Sequence, residues 1–412
     1  MKDNRKREKA LGTLERGDSG WREATRIVHG GPKPSEQSGV INPPIYRAST
    51  IIYDTVDAYI DRHKGLYGDV IYGLYGTRST YALAEAIAEL EQGSATVITS
   101  SGTSAIALTL SAFVEAGDHL LVADCIYGPT RKFLSEILSK FGVDIEYFKA
   151  DIAGGVAELC RPETKLIYME TPGSQTFDII DIPAISAVAR ARGILTAVDN
   201  TWATPLYFKP LLHGVDLSIA SATKYLSGHS DCLLGAITAS DEAVFRRIKD
   251  VAARWGNCAS PDDCYLVQRG LRTLDTRLER HQRTAFALVD WLVEQPEVQA
   301  ILYPAHPNDP GHAIWKRDFT GASGLFGVQL DGLNENETRA FFDHMWTFQL
   351  GSSWGGFESL AVPAWPAPVR AFSNKERDGA LIRIHAGLEA VDDLIDDLDA
   401  AFDRVRTLRR SN

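Results

Sequence analysis

The sequence predicts an α/β protein built on a mostly parallel sheet. Up to about residue 240, short apolar runs of strand length recur and helical stretches separate them. Runs that are apolar throughout fit strands covered on both faces, which is how parallel strands joined by helices are buried. Beyond that point the pattern turns to long helices and a second, smaller α/β unit.

The candidate strands, in order, are "ATVITS", "HLLVAD", "DIEYFK", "KLIYMET", "ILTAVDN", "LSIASA" and "LLGAITAS". Ahead of the first, "STYALAEAIAELEQG" reads as a helix, with Thr80 as N-cap and Gly93 at its end. "TRKFLSEILSKFG" and "IPAISAVARARG" are helical connections. "SDEAVFRRIKDVAARWG" and "RTLDTRLERHQRTAFALVDWLVEQ" are the long helices. The smaller unit holds "GLFGVQLDG", the helix "NENETRAFFDHMW", the strand "ALIRIHAG" and a closing helix "AVDDLIDDLDAAFDRVRTLRR". Residues 1–70 contain "GGPKPSEQSGVINPPIY" and read as an extended arm. The division expected is 1–70 arm, 71–270 large domain and 271–412 C-terminal domain.

The chain has 412 residues, which is two or three structural units rather than one small core. Its net charge of -11, with basic residues dense only at the extreme N-terminus, argues against a nucleic-acid surface and leaves small-molecule chemistry open. No run approaches membrane-spanning length. The first twenty residues lack an apolar core, so they read as a frayed arm rather than a secretory signal. Five scattered cysteines suggest reduced cytoplasmic thiols, without a disulfide framework or a metal site.

Three features lie at strand ends. "VITSSGTSAIALTL" runs from a strand through a small-residue turn into a helix, whose first amides, Gly102 and Thr103, favour an anion. Alone, it reads more readily as an ordinary capped turn. Asp199 ends the strand of "ILTAVDN", where ligands bind in open α/β sheets, although a turn-capping role also fits. Lys224 follows the next strand, in "SATKYLSGHSD", with Ser221 and Thr223 as further hydroxyl donors. Taken together, a phosphate cup, a carboxylate and an amine suit a phosphorylated pyridine aldehyde. Its phosphate needs donors, its ring nitrogen an acid and its aldehyde a lysine.

At this point the chain resembles the fold-type I pyridoxal-phosphate enzymes of cysteine and methionine metabolism. The motifs that carry the resemblance are "NPPIYRAST", "SSGTSAIAL", "DCIYGPT", "ETPGS", "VDNTWATP", "SATKYLSGHSD", "RGLRTLDTRLERH", "SSWGGFESL" and "LIRIHAGLE". They run from about residue 25 to the C-terminal helix. The resemblance implies pyridoxal 5'-phosphate as cofactor and Lys224 as the Schiff-base lysine. Asp199 would be the partner of the ring nitrogen. Tyr127 would be the aromatic stacked on the ring, with a part in proton transfer. Gly102, Thr103, Ser221 and Thr223 would be phosphate ligands. Arg383 would grip the substrate carboxylate as a bidentate pair. Tyr72 would enter the neighbouring subunit's site.

Within the family, "SSWGGFESL" and "ETPGS" look like the cystathionine β-lyase subgroup. Trp354 and Ser353 would then shape the substrate end of the pocket. The reaction implied is cleavage of cystathionine, or another S-substituted cysteine, to a thiol, pyruvate and ammonia. The alternative is a γ-lyase or γ-synthase acting on homoserine esters, methionine or cystathionine. A non-enzymatic cofactor-binding protein is disfavoured, because Lys224, Asp199, Tyr127 and Arg383 are all retained. A cytoplasmic homotetramer, a dimer of dimers, is the assembly implied. One departure stands out. In "IYGLYGTRSTYAL" Leu74 stands where the family has a phosphate-binding arginine, and Arg78 lies four residues on.

Overall fold

The computed structural model describes residues 21–364, 370–372 and 379–411. The charged first twenty residues, expected to fray, lie outside the described residues.

All seven apolar runs form strands. They are β1 (Ala95–Thr99), β2 (His119–Ala123), β3 (Asp144–Phe148), β4 (Thr164–Glu170), β5 (Leu195–Asp199), β6 (Leu217–Ala220) and β7 (Gly235–Ala239). They make one sheet in the order β1-β7-β6-β5-β4-β2-β3. Strand β7 is antiparallel to both of its neighbours, and the other pairs are parallel. The ends of β1, β6, β5, β4 and β2 therefore open on one edge, the edge at which α/β sheets bind ligands. Strands β2, β6 and β7 are buried at every position, which explains why they read as unbroken apolar runs.

Helix α1 (Arg78–Glu91) starts two residues before the expected cap. Thr77 is its N-cap, and Thr80 returns from the third helical position in a reciprocal capping box. Its end is also displaced: Gln92, not Gly93, takes the left-handed conformation, with φ 55°. Gly93 serves packing instead, since a Cβ there would lie 2.4 Å from Thr238 Cγ2 on β7. Helix α2 (Gly102–Phe113) leaves β1, and α3 (Ile182–Ala191) joins β4 to β5. Helices α4 (Glu242–Arg254), α5 (Pro261–Leu271) and α6 (Leu274–Leu292) follow. Among the described residues no helix is long and apolar enough to cross a membrane.

The second sheet has four strands, β8 (Val298–Leu302), β9 (Leu325–Asp331), β10 (Leu360–Pro363) and β11 (Gly379–His385), in the order β10-β11-β9-β8. All its pairs are antiparallel. The sequence pattern marks only β9 and β11, because β8 and β10 are short and partly exposed edge strands. Helix α7 (Val391–Ser411) closes the chain. Its Asp397 is fully buried and accepts the backbone N–H groups of Trp346, Thr347 and Phe348, the last two at 2.8 and 2.9 Å. Those donors lie just before the 351–356 loop that meets Lys224.

Removing the Asp397 carboxylate strands three N–H donors. Each buried unsatisfied donor costs about 1–3 kcal/mol. Asp397→Ala is expected to lower the thermal midpoint clearly, with Asp397→Asn in between because it keeps one acceptor oxygen. Scanning fluorimetry of the three proteins checks the ranking, and equal midpoints would contradict it.

Candidate active site

Lys224 sits four residues past the end of β6, in the turn that leaves the sheet edge. Its Nζ donates to Ser353 Oγ at 2.6 Å and lies 5.4 Å from the centre of the Trp354 ring. Burial, with a further push from the Arg383 guanidinium, lowers its pKa to about 8, and Asp199 pulls the other way. Near neutral pH a useful share of the amine is therefore unprotonated.

Asp199 ends β5 and is buried. Thr201 donates to its Oδ1 twice, from N–H at 3.0 Å and from the hydroxyl at 2.5 Å. The same Thr201 hydroxyl accepts Ser221 N–H at 2.8 Å, so the carboxylate and the turn after β6 are tied together. Asp199 Oδ2 takes no hydrogen bond among the described residues. Burial raises the Asp199 pKa against the pull of Thr201 and Lys224.

The turn after β1 is built as a cup. Ser101 caps α2 by accepting Ser104 N–H at 3.0 Å, which leaves the amides of Gly102 and Thr103 at the open helix start. Gly102 abuts Ser221: a Cβ would stand 2.6 Å from both Ser221 Cβ and Oγ. Ser221 is thus brought to the cup. Thr223 is less open, because its hydroxyl donates to Leu234 O and accepts Leu234 N–H, both at 3.1 Å.

Tyr127 stands after β2 and is 43% exposed, so a flat ligand can reach it. Its N–H donates to Glu170 Oε2 at 2.5 Å. Burial, and next the Glu170 charge, raise the phenol pKa, so it stays protonated at neutral pH. On β11, Arg383 Nη2 lies 3.3, 3.2 and 3.1 Å from the carbonyl oxygens of Gly351, Ser352 and Ser353. Held by one nitrogen, the guanidinium keeps its other N–H groups for a carboxylate.

The structure does not join Tyr72 to this cluster within the chain. Its ring is 44% exposed and packs on Tyr75, with centroids 6.1 Å apart. Leu74 is half-buried, and the exposed Arg78 leans over Tyr46 with its guanidinium carbon 5.7 Å from the ring centre.

A family model described as Cys/Met metabolism PLP-dependent enzyme matches residues 24–403. The chain belongs to this family. Pyridoxal phosphate is accordingly its cofactor. A relative from Salmonella typhimurium named cystathionine beta-lyase is 40% identical, over 92% of this chain and 98% of that protein. One from Wolbachia pipientis named L-alanine/L-glutamate racemase is 39% identical, over 94% and 98%. A solved structure of cystathionine gamma synthase from Xanthomonas oryzae, in complex with aminoacrylate and cysteine, superposes with a TM-score of 0.86 at 32% identity, over 94% of this chain and 100% of that one.

The residues present fit the family's cofactor. The open start of α2 suits its phosphate, the free Oδ2 of Asp199 suits a protonated ring nitrogen, and Lys224 supplies the amine. Sequence reasoning passed over Glu170. It ends β4 in register with Asp199, and burial with the neighbouring Asp199 charge raises its pKa well above the ordinary range. Its signal was the acid of "ETPGS" at the end of an apolar strand. Also missed were the buried rings of Tyr225, His281 and His385 behind Lys224.

Gly102→Ala places a methyl group on Ser221 and pushes the cup open. Cofactor retention on dialysis is expected to fall by about tenfold, equivalent to one charge-assisted hydrogen bond. Undiminished retention, read from bound cofactor per chain, would remove Gly102 from the cup.

Proposed function

We propose that the chain is a carbon–sulfur β-lyase that cleaves cystathionine, or a related S-substituted cysteine, with one water to a thiol, pyruvate and ammonia. The observation that carries this reading is the wall beside the amine: Ser353 Oγ and the Trp354 ring both stand against Lys224 Nζ. β-Elimination needs a proton removed at one carbon only. γ-Elimination asks the base to serve two neighbouring carbons, and a bulky indole beside Nζ restricts that travel. The Salmonella relative's name agrees with this reading.

When bound, the cofactor supplies an electron sink that makes the substrate's α-proton acidic. Lys224 takes that proton at Nζ, and its lowered pKa suits a base near neutrality. Arg383 fixes the substrate by its carboxylate and so orients the α-carbon toward Nζ. Asp199 balances the charge of the ring nitrogen. Tyr127 would lie against the ring and, held protonated, would have a proton to give to the departing sulfur. Gly102, Thr103 and Ser221 would hold the phosphate, with Thr223 supporting the Leu234 side of the turn.

Two other readings have a named relative behind them, a γ-synthase and a racemase. One assay separates all three. Incubation with cystathionine is expected to yield pyruvate and a thiol, and Lys224→Ala is expected to abolish both. Dominant 2-oxobutyrate would favour γ-chemistry. A D-product formed from L-alanine, without pyruvate from cystathionine, would favour racemisation.

We also propose a cytoplasmic homotetramer, a dimer of dimers, in which Tyr72 completes a neighbouring site. The arm supports this. Ile41 is 70% exposed, Ile52 88% and Val56 73%, apolar side chains along one arm that a neighbouring subunit would cover. Light scattering is expected to give four chains, and a monomeric mass would sink the proposal.

A further inference from the structure

Strand β11 carries Arg383 and, two residues on, His385. Strand alternation puts both on one face. Arg383 holds the carbonyls of residues 351–353, and His385 holds the next part of the same loop. His385 is 1% exposed, and its Nε2 accepts Gly355 N–H at 3.1 Å. Nδ1 then carries the ring proton and faces the Tyr225 hydroxyl at 3.4 Å. Gly356 O also lies 3.1 Å from Nε2, so the other tautomer grips the same loop by its carbonyl.

This loop lies directly on the lysine's own backbone. Gly355 has φ 87°, and a Cβ there would come 2.9 Å from Tyr225 N and 3.0 Å from Lys224 C. Ser230 Oγ fastens the far side by donating to Glu358 Oε1 at 2.6 Å. Ser227 Oγ lies 3.0 and 3.3 Å from the carbonyls of Thr223 and Lys224. Behind His385 stand two more buried rings. His281 is 5.2 Å from it and Tyr225 is 5.7 Å, measured between ring centres. His281 Nδ1 lies 2.7 Å from Ala386 O. Three buried rings and a left-handed glycine in contact with the lysine's backbone are more than a plain turn requires.

We infer that His385 is a positioning residue: by holding the Gly355 amide, and backed by Tyr225 and His281, it fixes Ser353 and Trp354 against the Lys224 amine. The inference rests on Lys224 being the reactive amine of the proposed function. The charged groups facing Nζ are Arg383 from β11 and Asp199 from β5, and the groups whose charge acts on His385 are His281, Arg383 and Lys224. Neither charged partner of Nζ sits on the 351–356 loop. Loosening the loop therefore chiefly rehydrates the amine and raises its basicity.

Two substitutions test this. His385→Gln keeps an acceptor near the Nε2 position, whereas His385→Asn is too short to reach Gly355. Trace acylation of the full-length, cofactor-free chain, followed by mass spectrometry across pH, reads the reactivity of Lys224. In His385→Asn the Lys224 midpoint is expected to move upward, with acylation at pH 8 falling about fivefold. The kcat of its holoenzyme is expected to fall by about tenfold or more, with KM changing much less. In His385→Gln all three return to within about twofold of the native protein. Equal loss in both variants, or no change in either, overturns the inference. If neither variant folds, hydrogen exchange of the native holoenzyme decides: Gly355 is expected to be protected like β11, and exchange as fast as an open loop overturns the inference. A native Lys224 that acylates no more readily near pH 8 than surface lysines would instead remove the proposed function, and this positioning role with it.

Discussion

A lysine amine drawn out of water is the constraint around which this structure is arranged. Taking an ammonium into a partly dry site costs several kcal/mol unless something meets it. The chain answers in two ways. It lowers the basicity of Lys224 to about 8, so that charge is partly given up. It also meets Nζ with one hydroxyl and one indole face, Ser353 and Trp354. Both groups come from a loop more than a hundred residues away in sequence, and β11 holds that loop.

The opposite charge problem lies one strand over. Asp199 and Glu170 end neighbouring parallel strands in register, and burial raises both. Two buried acids side by side favour a cation placed between them and solvent. A protonated pyridine nitrogen is such a cation. The sheet order makes this juxtaposition possible, because parallel β4 and β5 deliver their last residues to the same edge as β6 and Lys224.

The central strands of the large sheet were legible because they are buried on both faces and so read as apolar runs, β2, β6 and β7 at every position. Edge strand β3 is half-exposed and was legible from its β-formers Ile145, Tyr147 and Phe148. Edge strands β8 and β10 were not, since each is partly exposed and follows or contains a proline, in Pro296 and Pro363, that reads as a loop. Helix ends slipped for a related reason. Thr80 looks like a cap, yet Thr77 takes that role and Thr80 folds back on it. Gly93 looks like a helix stop, but close approach to Thr238 demands the glycine. Local propensity names the residue type correctly in both cases, and packing assigns its task.

In the candidate site, the positions of Lys224, Asp199 and the Ser-Gly-Thr turn were legible because each lies at or just past the end of a strand, where sequence position alone sets location. Family resemblance then supplied Tyr127, Arg383 and Trp354. Glu170 and His385 went unread: Glu170 ends its strand as Asp199 does, but one acid was enough for the expected ring nitrogen, and His385 works through a loop distant in sequence. Sequence by itself determined the α/β class and the family, and placed Lys224 just past a strand end. Only the tertiary structure decided that one loop carries Ser353 and Trp354 to that amine, that His385 grips its Gly355, and that Thr223 is engaged by Leu234. The physical reason is that strand ends follow from local periodicity, whereas contacts between distant loops depend on how two separate sheets are packed.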